Sequence, residues 1–512
     1  LGHPPGVRVA LRVMEATTLR AGAQGSLVAT LRRASHAETQ CLSLSLRPTA
    51  NAAPRKPRHD KPIHGAFNVT HNRSFQLGSL GLSGAAVTGG DGTFDYAQAS
   101  DSNEGFVPDD FVSEDGDADV REVATEETPQ KRVMCLMSDT GGGHRASAQA
   151  LRDGFETLYG DKFDINVVDL WTSSSPWPLC NMPKSYFFLV KNPWLWRLSF
   201  RSSEPKILHE AMFTGYTAIV GRRFAQAFSE YKPDLIVSVH PLMQHVPLKV
   251  LARMKSMPSF AAAKVPFATV VTDLTRCHRT WFHKNVDRCF VATQLVAAQA
   301  MRCGLKAKQL ACHGLPIRPA FMTCHARAKP AIRAELSMDT QAKTVMLVGG
   351  GEGMGKLEQI AEALERALAP SDQIVLICGK NAKLAQKLTA KKWKTKVCVR
   401  GFVNNMSEYM SACDCIITKA GPGTIAEALI CGLPIMLNGF IPCQEAGNVS
   451  YVLENGVGAY DEDPDAMAKI VAGWFALDGE VLEEMSAKAK LLGRPEATFN
   501  IVRDLADMAC GA

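Results

Sequence analysis

The sequence has no CxxC pair among its 15 cysteines, which removes zinc ribbons and dithiol redox motifs. Cys277, His278, His283 and Cys289 form the one cluster resembling metal ligands, and their spacing fits no zinc pattern. No metal is therefore expected. The thiols read as small buried hydrophobes in a reduced compartment. No apolar run approaches the roughly 18–20 residues of a membrane-spanning helix. The most apolar stretch, 186–200, is broken by Lys191, Pro193 and Arg197. That excludes a span but leaves open a chain that lies on a bilayer. A large excess of one charge is lacking too: 57 Lys and Arg stand against 51 Asp and Glu, a net of +6. So mild an excess does not point to a nucleic-acid partner.

Acidic residues are scarce at the start. Residues 1–60 carry nine Lys or Arg and only Glu15, Glu38 and Asp60 as acids, with much Ala, Ser and Thr and no secretory apolar core. This is the composition of an organelle transit peptide, or else of a plain disordered tail. Residues 61–130 invert the balance, with three basic and thirteen acidic residues among Gly and Ser, and read as an acidic disordered linker. The remainder carries 45 basic and 35 acidic residues, a net of +10. A basic body suits an anionic ligand or an anionic membrane surface, or is a generic solvated surface.

What is present is a repeated pattern. RVMCLMS, DTGGGH and RASAQALRDGFETLYG read as strand, glycine turn and helix, the opening of a doubly wound α/β domain. FDINVVDL, DLIVSVH, FATVVTD and RCFVAT follow as short strands, so this domain is placed at 131–325. The order restarts at KTVMLVGGGEGMGKLEQIAEALERAL, with IVLICGKN, KVCVRGFV, CDCIITK and LPIMLNG as further strands over 340–490. The segment 491–512 reads as helix that packs back on the first domain. The fold class is thus α/β, two Rossmann-like domains facing a cleft, the GT-B architecture, with functional loops at the carboxyl ends of the strands.

Four motifs carry chemistry. The glycine turn containing Gly349, Gly350, Gly351 and Gly353 lets backbone approach a ligand, or is structural. TKAGPGTIAE opens a helix at Pro422 or Gly423, whose free N–H groups make the turn of Gly421, Pro422, Gly423 and Thr424 a phosphate site, with Glu427 placed to accept ribose hydroxyls. The alternative is a capped helix. Gln444, Glu445 and Asn448 follow an apolar strand and suit sugar hydroxyls, or begin a helix. His144 enters a helix from DTGGGH and is the candidate base, with His240 and His245 as second choices and Asp273 as a possible histidine partner. The stretch 171–201 holds four of the seven tryptophans, Trp194 and Trp196 among them, interleaved with Lys184, Lys191, Arg197 and Arg201. It is either a membrane-entering surface or a packed helical lid.

SDTGGGHRASAQAL, VVTDLTRCHRTWFHK, VGGGEGMG, TKAGPGTIAEALICGLPIMLNG and QEAGNV together resemble the monogalactosyldiacylglycerol synthases of plant and algal plastids, and more distantly the bacterial lipid-linked peptidoglycan N-acetylglucosaminyltransferase. The resemblance covers about 131–505. It implies an inverting, metal-independent galactosyltransferase with no cofactor, using UDP-galactose as donor and diacylglycerol as acceptor. It implies a monotopic enzyme on the plastid envelope, activated by anionic lipids such as phosphatidic acid and phosphatidylglycerol. A homodimer is left open. Carried over by motif, the glycine turn, residues 421–424 and Glu427 hold UDP, and Gln444, Glu445 and Asn448 lie near the sugars. His144 is then the base, and Pro178, His240 and Trp281 stand near the lipid-facing cleft. Rival readings are a glucosyl donor, a UDP-sugar epimerase of the same fold, and a non-catalytic binder of anionic lipid or nucleotide.

Overall fold

The computed structural model describes residues 129–256, 265–350, 356–476 and 479–511. The expected transit peptide and nearly all of the acidic linker lie outside them. Each half is built on short apolar strands, four to six residues in most cases, the inner ones buried on both faces, the pattern that parallel sheets demand. In the N-terminal lobe, β1 (Lys131–Leu136), β2 (Phe163–Val168), β3 (Leu235–Ser238), β4 (Phe267–Val270), β5 (Arg288–Val291) and β6 (Leu310–Cys312) form a parallel sheet in the order β2-β1-β3-β4-β5-β6. In the C-terminal lobe, β7 (Thr344–Val348), β8 (Gln373–Ile377), β9 (Lys396–Arg400), β10 (Cys415–Thr418), β11 (Ile435–Leu437) and β12 (Gly458–Tyr460) form a second, ordered β12-β11-β10-β7-β8-β9.

The strand orders decide where a ligand goes. The direction of winding reverses between β1 and β3 in one sheet and between β7 and β10 in the other. Crevices open beyond the carboxyl ends of strands at such reversals. DTGGGH and His240 follow β1 and β3. The glycine turn and AGPGT follow β7 and β10. Both sheets belong to one compact unit.

The C-terminal helix Ala497–Cys510 crosses back to the first lobe. Ile501, Val502 and Leu505 are fully buried in the core that contains Val133, Leu151 and Phe155. Gly314, at φ +117°, permits this return: a Cβ there would lie 2.9 Å from side-chain carbons of both Arg494 and Ala497. Thr498 Oγ1 donates to the carbonyl of Ile317 and accepts from its N–H at 2.8 Å. The last helix therefore fixes the segment that connects the lobes.

Candidate active site

The loop after β1 must turn sharply into the helix Gly142–Tyr159. Gly141, at φ +115°, takes the backbone where a side chain is strained. Asp169 pins this loop from the end of β2, accepting from Ser138 Oγ at 3.3 Å and from the N–H of Asp139 at 3.2 Å. His144 is thereby set in the first turn of the helix, half-buried, with Nδ1 2.9 Å from the carbonyl oxygen of Val239. A carbonyl only accepts, so Nδ1 carries the proton and Nε2 keeps its lone pair. Loss of water pushes His144 down to about 4, against the Val239 contact, which favours the charged form. At neutral pH the ring is therefore the neutral imidazole.

His240 lies beside it, ring centroids 4.4 Å apart and edge-on. The N–H of Leu242 donates to His240 Nδ1 at 3.2 Å, so its Nε2 carries hydrogen and donates to Thr140 Oγ1 at 2.9 Å. Burial, then the neighbouring His144, holds His240 well below the ordinary histidine range. It is a neutral donor that braces the glycine loop. Trp281, buried, faces His144 at 5.9 Å and donates Nε1–H to Asp273 Oδ2 at 2.8 Å. Burial raises the Asp273 carboxyl to about 7, helped by Glu445 and opposed by Trp281 and Lys419. Asp273 therefore has an indole as its partner, not the histidine that its position suggested.

Of these neighbours, Glu445 and Lys419 belong to the other lobe. Glu445, buried, pairs with Lys419 and accepts the N–H of Ile441 at 2.9 Å. Lys419 Nζ lies 3.3 Å from where a Cβ on Gly421 would stand, directly over the start of helix Pro422–Ile430. His144, Trp281 and Asp273 thus form one contact chain, and the Glu445–Lys419 pair beside that helix end is close enough to act on the Asp273 charge. The first-turn N–H groups of Gly423 and Thr424 have no acceptor in the helical ladder.

The other candidate residues divide. Gly349 and Gly350 enter the turn after β7, Gly350 at φ +67°; Gly351 and Gly353 lie outside the described residues. Glu427 pairs with Arg318. Gln444 Oε1 accepts from Tyr186 OH at 3.3 Å. Asn448 is engaged within the protein: Oδ1 accepts from Thr275 Oγ1 at 2.8 Å and Nδ2 donates to the carbonyl of Ala420 at 2.9 Å. It ties the lobes together. Pro178 is exposed in the turn before Leu179, and no described contact joins it to His144. Trp194 is 67% exposed, whereas Trp196 corrects its expected lipid-facing role. Its Nε1 donates to the carbonyl of Pro442 at 2.7 Å and its ring packs on Tyr186 and Phe200, because a half-buried indole N–H needs a partner.

His245 sits apart, buried against His209 and Phe213. Cys277, His278, His283 and Cys289 disperse: both thiols are buried and pushed upward by loss of water, and His278 bonds Thr280 and the carbonyl of Phe200. Among the described residues no group of three or more His, Cys, Asp or Glu is placed to hold a metal ion. Sequence reasoning missed Tyr186, Thr140, Lys419, Arg318 and Thr272, whose Oγ1 lies 3.2 Å from His144 Nδ1. Lys419 alone carried a signal, as the cation two residues before a phosphate-type turn.

Two family models match: monogalactosyldiacylglycerol (MGDG) synthase over residues 144–317 and the glycosyltransferase family 28 C-terminal domain over 344–458. Monogalactosyldiacylglycerol synthase 1, chloroplastic, of Arabidopsis thaliana is 49% identical over 384 residues, 74% of this chain and 71% of that protein. The chain belongs to the monogalactosyldiacylglycerol synthase family. The chloroplastic synthase of Spinacia oleracea is 48% identical over 391 residues, 75% of this chain and 74% of that protein. Among solved structures, Acinetobacter baumannii MurG aligns with a TM-score of 0.47 and 12% identity, over 74% of this chain and 99% of that one. The two-lobe architecture of this synthase-family chain rests on its own sheets. The first family match begins at His144 itself and takes in His240, Asp273 and Trp281; the second spans every donor-side candidate from Gly349 to Asn448.

Proposed function

We propose that this chain transfers galactose from UDP-galactose to the free hydroxyl of 1,2-diacylglycerol with inversion, giving β-monogalactosyldiacylglycerol in the chloroplast. As a member of its family it is a galactosyltransferase of galactolipid synthesis. The observation that carries the mechanism is His144, a neutral imidazole with Nδ1 on the Val239 carbonyl and Nε2 left basic, on the lobe opposite the helix Pro422–Ile430.

In the step itself His144 Nε2 takes the proton of the acceptor hydroxyl while that oxygen forms its bond to the anomeric carbon. The anomeric bond to the diphosphate breaks on the opposite face, and UDP leaves with the electron pair. First-turn N–H groups of helix Pro422–Ile430 stabilise the departing charge without a metal, and Glu427 accepts the ribose hydroxyls. Gln444 and Glu445 meet the sugar. The imidazolium then loses its proton to solvent. Imidazole at about 4 is a weak base, and an anionic headgroup beside it raises that value by favouring the charged ring. This is the physical argument for activation by phosphatidic acid or phosphatidylglycerol. Asp273, titrating near 7, is the second candidate base, although Trp281 occupies one of its oxygens.

The acceptor is delivered from a bilayer. No helix among the described residues is long and apolar enough to cross a membrane. Trp177, Phe188, Trp194 and Leu198 are all more than half exposed on 177–198, beside Lys184, Lys191 and Arg197. Apolar rings with interleaved cations suit the interface of an anionic leaflet. We place the protein on the plastid envelope as a monotopic enzyme, with a homodimer as a further possibility that sedimentation tests. Incubation with UDP-galactose and diacylglycerol vesicles tests the reaction; a product lipid bearing β-galactose is expected, and release of galactose or an epimerised UDP-sugar without lipid product contradicts it.

A further inference from the structure

Glu427 has a partner from the other side of the connector. Arg318 stands six residues beyond β6, where the chain leaves the N-terminal lobe, and its Nη2 donates to Glu427 Oε1 at 2.9 Å. Glu427 lies in the second turn of helix Pro422–Ile430. The pair is largely withdrawn from water, with side-chain exposures of 30% and 14%. The guanidinium also lies 5.2 Å from the ring centroid of Phe321. Its Nε is buried and has no hydrogen-bond partner among the described residues. Arg318 is thus held over an aromatic face with one Nη2–H on the Glu427 carboxylate.

We propose that Arg318 is a positioning residue for the nucleoside of the donor: it orients the Glu427 carboxylate toward the ribose and so sets the preference for ribose over 2′-deoxyribose. The inference rests on reading helix Pro422–Ile430 as the UDP site. Ribose hydroxyls donate, and an ionised carboxylate offers only acceptors. A protonated carboxyl turns one of those acceptors into a donor and loses half the match. Burial pushes Glu427 upward, and the Arg318 charge and hydrogen bond hold it down. Arg318 faces Glu427 from the connector. On its own helix the titratable neighbour is the Cys431 thiol, itself pushed far upward by its contact with Cys324 and by burial, so it stays neutral. The guanidinium, held over the Phe321 ring, fixes the direction of the Nη2–H that meets Glu427 Oε1, which a flexible lysine ammonium does not.

The test compares dissociation constants of UDP and 2′-deoxy-UDP for the full chain and its variants between pH 6 and 8.5. The unaltered protein is expected to favour UDP by about tenfold, the order of one lost bond to a charged group, with little pH dependence. Glu427→Gln removes the preference. Arg318→Gln removes it too, and its UDP affinity climbs with pH as the unassisted carboxyl ionises. Arg318→Lys, which keeps a cation, retains a flat pH profile with a reduced preference. An Arg318→Gln protein with the full preference and a flat profile overturns the inference while leaving the UDP site intact. If Arg318→Gln does not fold, an unchanged preference in Arg318→Lys overturns it equally. A Glu427→Gln protein that keeps the preference instead removes the ribose from Glu427, and the reading of the UDP site fails first.

Discussion

Nδ1 of His144 stands 2.9 Å from the carbonyl oxygen of Val239, so the nitrogen that remains basic is the one turned away from the β3 end. The residue that donates this carbonyl precedes His240, and the reversal of winding between β1 and β3 is what brings the two loops together. The tautomer of the proposed base is therefore a consequence of sheet topology.

Replacing His144 with Ala is expected to lower transfer by about 10²–10⁴-fold, the usual contribution of a positioned base, while UDP still binds. Initial rates paired with calorimetric UDP titration check this. Loss of UDP affinity would move His144 to the donor side.

The same group sets an acid limit. A histidine whose folded value lies at about 4, below its ordinary 6.5, takes up its proton in the unfolded chain first. Stability tied to it is therefore lost as pH falls from about 6.5 toward 4. Thermal melts of the unaltered protein and His144→Gln across that window should converge as pH drops. Parallel curves would mean that the imidazole is not shielded as described.

Asp273 titrates near 7, and the Trp281 N–H is one of the contacts that hold it down. Trp281→Phe removes that donor and should shift the limb of the pH–rate profile near 7 upward by about one unit, the equivalent of about 1.4 kcal/mol. Asp273→Asn should abolish the limb. A limb unmoved by both changes belongs to another group.

Reading the sequence located ten of the twelve strands, because their apolar runs are bounded by glycine and by helical periodicity. β6 and β12 escaped it. Each is three residues long, LAC and GAY, and is defined by pairing to β5 and β11 rather than by any local pattern. Candidate groups that share one loop, as in TKAGPGTIAE, were readable. Partners from distant segments were not: Arg318 and Glu427 are 109 residues apart, Tyr186 and Gln444 are 258 apart, and Trp196 and Pro442 are 246 apart. Trp194 and Trp196 look alike in composition, and only the second lobe separates one from the other.

That separation predicts opposite phenotypes. Trp194→Ser should weaken binding to anionic vesicles without altering UDP affinity. Trp196→Phe and Tyr186→Phe each remove one hydrogen bond between lobes, worth about 1 kcal/mol, and should raise the KM for UDP-galactose severalfold with vesicle binding unchanged. Vesicle flotation and donor kinetics distinguish them. Equal effects of the three on flotation would return Trp196 to the membrane face.

The lobes approach closely at Gly447, where a Cβ would lie 2.5 Å from Thr275 Oγ1. Gly447→Ala should cost about 1–3 kcal/mol of packing and slow transfer about tenfold or more, and Thr275→Ala in the same chain should restore part of the rate. Additive losses in the double variant would show that the two residues do not meet in the working enzyme.

The central claim is that a nucleotide-linked hexose on the C-terminal lobe reacts with a lipid alcohol held at His144. Supplying radiolabelled UDP-galactose or UDP-glucose to the protein on diacylglycerol vesicles, and resolving the lipid products, tests it most directly. Label entering monogalactosyldiacylglycerol from UDP-galactose, in the β configuration, and vanishing with His144→Ala is the predicted result. Label that stays in water-soluble sugar, or enters lipid equally well without His144, contradicts the account.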